Sequence, residues 1–170
     1  MLPVWEKHSY IYAILDAARN ESIYKMLMAC AEEFTCLYNG DIPVSLARAA
    51  PYLIKLPTDS ALFQKIYQQG FFDSWGIFFT SFDNSKELKR HFQSLLRVKT
   101  EDGRRLYFRY YDPRVLRVYL PTCTKDELRA VFGSVDNMWV AGETEDAIVE
   151  YRKESDRFFS STIELKDLEI

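Results

Sequence analysis

WGIFFTSFDNSKELKRHFQSLL, residues 75–96, sets a strand and a helix in immediate succession. The run from Trp75 to Phe82 is apolar and aromatic, of strand length and too continuous for a surface turn. Asn84 and Glu87, three residues apart, then form a capping-box pair at a helix start. Leu88, Phe92 and Leu95 recur at the spacing of one helical face. The same alternation extends upstream. YIYAILD (10–16) reads as a buried strand, and NESIYKMLMACAEE (20–33) as a helix capped by Asn20, with Ile23, Leu27 and Cys30 on one face. FTCLYNG (34–40) is a second strand closed by Asn-Gly, VSLARAA (44–50) a short helix and PYLIKL (51–56) a third strand. TDSALFQKIYQQG (58–70) reads as a helix stopped by Gly70. Strands alternating with helices of this length predict an α/β fold, a mixed central sheet flanked by helices.

Downstream, LRVKTEDGRRLYFRYY (96–111) is a hairpin whose register follows from its apolar residues. A two-residue Asp-Gly turn would pair Val98 with Tyr107 and set Arg109 against Leu96. A three-residue loop of Glu101, Asp102 and Gly103, with Gly103 left-handed, pairs Val98 with Leu106 and Leu96 with Phe108. The second register gathers the four apolar residues on one face, which is then expected to be buried. Arg97, Lys99, Arg105, Tyr107 and Arg109 take the other face. Two short helices follow, PRVLRVYL (113–120) and TKDELRAVFG (124–133), the latter with Thr124 and Glu127 as capping box and Gly133 as stop. NMWVAGE, DAIVEYRK and DRFFSSTIELKD, between 137 and 167, read as three short strands. Residues 1–142 are thus read as one domain, with 143–170 a small β-rich C-terminal extension of it.

Composition narrows the function. With 170 residues, 48% of them hydrophobic and 28% charged, the chain can bury a substantial core without staples. The formal net charge of -3 lacks the basic excess of a general nucleic-acid binder. The start has no basic stretch before an apolar core, and no apolar run approaches bilayer length. Neither nucleic acid nor membrane is therefore expected as a partner. Cys30, Cys36 and Cys123 are odd in number and have no CxxC spacing, which reads as reduced thiols in a cytoplasmic protein. His8 and His91 belong to no metal-ligand pattern, so no metal is expected. Glycine-rich phosphate loops and the nucleophile elbow of serine hydrolases are both lacking, and no cofactor is expected.

FRYYDPRVLRVYLP (108–121) concentrates the remaining chemistry. Asp112 followed by Pro113 is a helix start, and Arg114 and Arg117 share a side of that helix. Arg109 can join them around Asp112. One reading is a local ion-pair network locking strand to helix. The other is a docking face that takes carboxylates from a partner, with Tyr107, Tyr110, Tyr111 and Tyr119 as aromatic contacts. Asp16 ends the first strand, where ligands of open α/β sheets gather, or it satisfies amides of the following turn.

The order of these segments carries a resemblance. YAILDAARN, CLYNG, APYLIKL, WGIFFTS, LKRHFQSLLRVKTEDGRRLYFR and FRYYDPRVLRVYLPT, over roughly residues 10–142, resemble the type VI secretion effector-chaperone or adaptor family, the domain of unknown function 4123 family. The resemblance implies a non-catalytic, cytoplasmic protein that binds a toxic effector and helps load it on the secretion spike protein. The positions carried over are Asp16, Trp75, Gly76, Arg109, Tyr111, Asp112, Pro113, Arg114 and Leu116. Many members have a longer, helical C-terminal lobe. Here that region is short, which implies a reduced lobe or a second co-chaperone. The expected docking surface is Arg105, Tyr107, Arg109, Tyr111, Asp112, Arg114 and Arg117. The alternatives are an immunity-type or general protein-interaction module, and a small hydrolase or transferase built on Asp16 and Cys123, or on Cys123 with His91.

Overall fold

The computed structural model describes Trp5 and residues 10–29, 33–100, 102–155 and 157–167. Strand β1 (Tyr10–Asp16) is an interior strand, third in the order of one seven-stranded sheet. Ile11, Ala13 and Leu15 point to one face, and Tyr12 and Ile14 to the other. All five are buried, because helices cover both faces. That is why its sequence is a nearly unbroken apolar run rather than an alternation of apolar and polar residues.

From β1 the chain passes through α1 (Glu21–Ala29) to β2 (Phe34–Cys36), then through the one-turn α2 (Val44–Ala47) to β3 (Pro51–Pro57). Helix α3 (Ala61–Ile66) runs into a π turn at Tyr67–Phe71 and leads to β4 (Gly76–Ser81). The strand order begins β2-β3-β1-β4. Strand β3 therefore lies between β1 and β2, and β1 between β3 and β4. This is the interlaced split β-α-β connectivity of ferredoxin-like units. It also corrects one detail of the expected fold. Each crossover helix joins parallel strands, but an antiparallel strand lies between them, so every described pairing is antiparallel and the sheet is not mixed.

Ile23 and Leu27 of α1, and Phe63 and Ile66 of α3, pack on one face around Trp5, whose indole meets Phe63, Phe71 and Trp139 edge to face. The opposite face is covered by α4 (Ser85–Leu95), α5 (Pro113–Tyr119) and α6 (Lys125–Phe132), through Leu88, Phe92, Leu116 and Phe132. Asn84 with Glu87 and Thr124 with Glu127 both form the expected capping boxes, and Gly133 ends α6 at φ 51°. Strands β7 (Val135–Ala141), β8 (Ala147–Glu154) and β9 (Arg157–Glu164) complete the sheet beyond β4. Residues 147–164 are thus the edge of the central sheet itself.

Gly70 does not stop a helix. It lies within the π turn, where a Cβ would stand 2.2 Å from the Trp75 ring, so glycine makes room for the indole. The hairpin of β5 (Arg97–Lys99) and β6 (Arg105–Tyr107) forms a separate two-stranded ribbon. Val98 faces Leu106 as the three-residue loop requires, and Gly103 has φ 84°. The apolar face is not covered as expected, however. Leu96 is buried, but Val98 is 39% and Leu106 47% exposed, because the ribbon stands away from the sheet it would otherwise pack on.

Candidate functional site

Asp16 closes β1 and is almost wholly buried, with 4% of its side chain exposed. Its Oδ1 accepts the Ala18 N–H at 3.1 Å, the turn bond that the sequence allowed. Its Oδ2 pairs with the Arg109 guanidinium, 93 residues away. The Asp16 N–H donates to the Trp75 carbonyl at 2.7 Å. Trp75 in turn donates its indole N–H to Asp73 at 2.9 Å, and Asp73 also holds Arg19 through its carbonyl at 2.9 Å and its carboxylate at 3.1 Å. At the next residue, a Cβ on Gly76 would stand 1.9 Å from the Ile14 carbonyl oxygen. Only glycine lets β4 start this close to β1.

Asp112 caps α5. Its Oδ1 accepts the Arg114 N–H at 3.0 Å and Nε at 2.9 Å, and its Oδ2 accepts Nη2 at 2.7 Å, a forked pair. Burial alone would raise this carboxyl, but the side-chain and backbone bonds from Arg114 outweigh it and hold it below its ordinary value. Burial pushes the Tyr111 and Tyr38 phenols up, with the nearby Asp16 charge adding to the effect. Pro113 and Leu116 are buried beneath α5.

Asp16, Trp75, Gly76, Arg109, Tyr111, Asp112, Pro113, Arg114 and Leu116 thus gather at one joint, in which the buried Asp16 ties the chain before α5 to the end of β1 and Asp112 with Arg114 fixes the start of α5. The expected cluster of three arginines on Asp112 is corrected. Arg109 reaches Asp16, Arg114 takes Asp112, and Arg117 turns inward to donate to the Ala141 carbonyl at the end of β7. On an α-helix side chains three residues apart diverge by about 60°, and each guanidinium follows its nearest acceptor.

The joint carries the ribbon, all six of whose strand residues are exposed. Arg97, Lys99, Arg105 and Tyr107 share one face, with Arg97 5.9 Å from the Tyr107 ring centre. Lys99 sits directly opposite Arg105, a like-charge pair that weakens an isolated hairpin. Among the described residues, no carboxylate lies within ion-pair distance of Arg97, Lys99 or Arg105. Beside the ribbon, Val118 of α5 is 74% exposed and borders a shallow hollow of about 670 Å³ with Phe108, Arg114, Val115 and Tyr119. Residues 97–117 hold seven basic and three acidic residues in a chain whose net charge is -3.

The other reactive residues serve the frame. His91 Nε2 sits 2.9 Å from the Val131 carbonyl, tying α4 to α6, and desolvation lowers its pKa. The Cys123 Sγ contacts the Tyr119 carbonyl, and burial raises its thiol, which is the reverse of nucleophile activation. Cys36 is likewise pushed up by burial. His8, Cys30 and Glu101 lie outside the described residues. Sequence reasoning missed Arg19, Asp73 and Tyr38, which sit in turns and carry no periodic signal. It placed Arg97 and Lys99 on the polar face but left them out of the docking set. Their signal was the hairpin register, which sets Lys99 directly across from Arg105 and Arg97 across from Tyr107.

Among the described residues no helix is long and apolar enough to cross a membrane. The sequence profile of the family described as Domain of unknown function (DUF4123) matches residues 11–130. No curated protein and no solved structure matches the chain.

Proposed function

We propose that this chain, which belongs to the DUF4123 family, is a cytoplasmic, non-catalytic adaptor that holds a toxic type VI secretion effector and hands it to the spike protein. The observation that carries the reading is the exposed ribbon beside α5. Among the described residues, cations without carboxylate partners stand next to exposed Leu106, Tyr107 and Val118, on a segment tied to the end of β1 by the buried Asp16, with the buried Asp112 capping its helix. Apolar and aromatic residues displayed together with arginine are the composition of protein interfaces. A rigid mount reduces the ordering cost of binding. In this mechanism the ribbon and the outer side of α5 cover apolar surface on the effector's N-terminal segment until it meets the spike. The working cations are Arg105 and its neighbours on the ribbon, whereas Arg114 and Arg117 mainly hold α5 in place.

Affinity capture of the tagged protein from its native host, with mass spectrometry of what is retained, tests the reading. A single toxin or a spike protein in stoichiometric amount is the expected result. Recovery of neither, from cells shown to express both, refutes it. If the retained toxin is bound through its catalytic part and inhibited, the protein is an immunity factor instead.

A further inference from the structure

At the base of the ribbon a cleft of about 350 Å³ opens between α4, the β2–α2 connection and the hairpin. Leu37, Ile42, Leu46 and Leu96 give it apolar walls, and Arg97 and Tyr107 belong both to it and to the cationic face of the ribbon. Gln93 of α4 also lines it. The Gln93 side-chain nitrogen is buried and has no hydrogen-bond partner. A buried N–H without an acceptor is a standing cost that native proteins rarely keep. Here Gln93 lines a cleft shared with Arg97, whose ribbon face also carries Lys99 and Arg105; among the described residues none of the three has a carboxylate partner, and Lys99 stands directly opposite Arg105.

We infer that this cleft seats an extended acidic segment of the partner protein, with an apolar side chain anchored among the leucines and alternate carboxylates laid along Arg97, Lys99 and Arg105. The inference rests on the adaptor reading and names the chemistry of what that adaptor holds. Three observations select this occupant. Arg97 and Lys99 are two residues apart on a strand, about 7 Å, which is the spacing of alternate side chains on an extended peptide. An acceptor on the segment satisfies the Gln93 amide once that side chain turns into the cleft it lines. Apolar walls need an apolar anchor, which a nucleic-acid backbone lacks, and a net charge of -3 disfavours nucleic acid on the molecule as a whole. The cost of Lys99 against Arg105, and of the unpaired amide, is thereby relieved only in the complex. That is the pattern expected where local stability is given up for binding.

The test places a photo-crosslinking benzoylphenylalanine at Leu46, inside the cleft, and at Met28 on α1 as a control, in the full chain in its host. Crosslinks from position 46 should map to one partner segment with acidic residues at alternate positions and an apolar residue among them. Crosslinks to a segment without acidic residues, to nucleic acid, or from position 28 alone while the complex still forms, overturn the inference and leave the adaptor reading standing. If no effector or spike protein is retained at all, it is the adaptor reading that fails. Independently, Gln93→Leu should lower partner retention about tenfold, the worth of one buried hydrogen bond, with the melting temperature of the free protein unchanged or higher. Undiminished retention by a folded Gln93→Leu protein contradicts the proposal.

Discussion

Arg109 and Arg114 sit a few residues from Arg97 and Arg105 in the chain, yet the two pairs meet different fates. The first two lie against Asp16 and Asp112, whose carboxylates are nearly sealed from water while the guanidinium ends remain half exposed. The second two stand on a ribbon with no described carboxylate in reach, one of them facing Lys99. Residue type is therefore a poor guide to role here, and what decides it is where the nearest acid lies. A cation whose acid is supplied by its own fold fastens the fold. A cation held out beside another cation is left without an acid from the described fold. Joint and ribbon thus divide one basic segment into a structural half and the half we propose for binding.

The joint should break hardest where backbone approaches backbone. Gly76→Ala sets a methyl group against the Ile14 carbonyl, and we expect a loss of about 3 kcal/mol or more, read as a shift of the urea midpoint. A variant that unfolds at the wild-type midpoint would show that β1 and β4 can separate at no cost, and the joint would not be the rigid mount described.

Asp16→Ala comes next. It removes the acceptor of the Ala18 amide and leaves Arg109 without its acid, but Arg109 is half exposed and water can take over. A loss of roughly 1–3 kcal/mol is expected. Partner retention should fall only as far as the ribbon loosens. A complete loss of retention in a protein of undiminished stability would move Asp16 from the joint to the binding face.

Acid sharpens the contrast between the two regions. The Asp112 pKa is depressed in the folded state, so its contribution is present above the ordinary 3.8 and is lost as pH falls through the lower folded value. Stability should therefore decline on acidification below that ordinary value, and Asp112→Asn should flatten this part of the profile. A profile identical in the two proteins would mean that the Arg114 fork adds nothing to the fold.

Local chemistry was readable in the sequence wherever neighbours in the chain determine it. The two capping boxes, the cap at Asp112 and the left-handed Gly103 that sets the hairpin register are all formed as their residues require. Sheet order was not readable, because nothing in α1 or α3 states which strand will slip between the two that each connects. Trp5 was passed over for a similar reason. A lone indole in a segment without periodicity gives no hint that it fills the core under α3. The same limit divided the site. The helix start at Asp112 was local and clear, while the acid for Arg109 lay 93 residues away and the acceptor for Arg117 on β7. Burial of Val98 and Leu106 was inferred from the need of an apolar face for cover, a rule that fails for a two-stranded ribbon standing away from the sheet.

The smallest expected change in stability bears most directly on the division between joint and ribbon. Lys99→Glu places a carboxylate opposite Arg105 and turns a repulsive cross-strand pair into an attractive one. The free protein should gain roughly 0.5 kcal/mol and lose most of its hold on the effector or spike protein that the wild type retains from the host. A protein at least as stable as wild type that has lost its partner is the predicted result. Full retention by the Lys99→Glu protein would contradict it, since the ribbon would then be no more than an exposed hairpin and the binding surface would lie elsewhere.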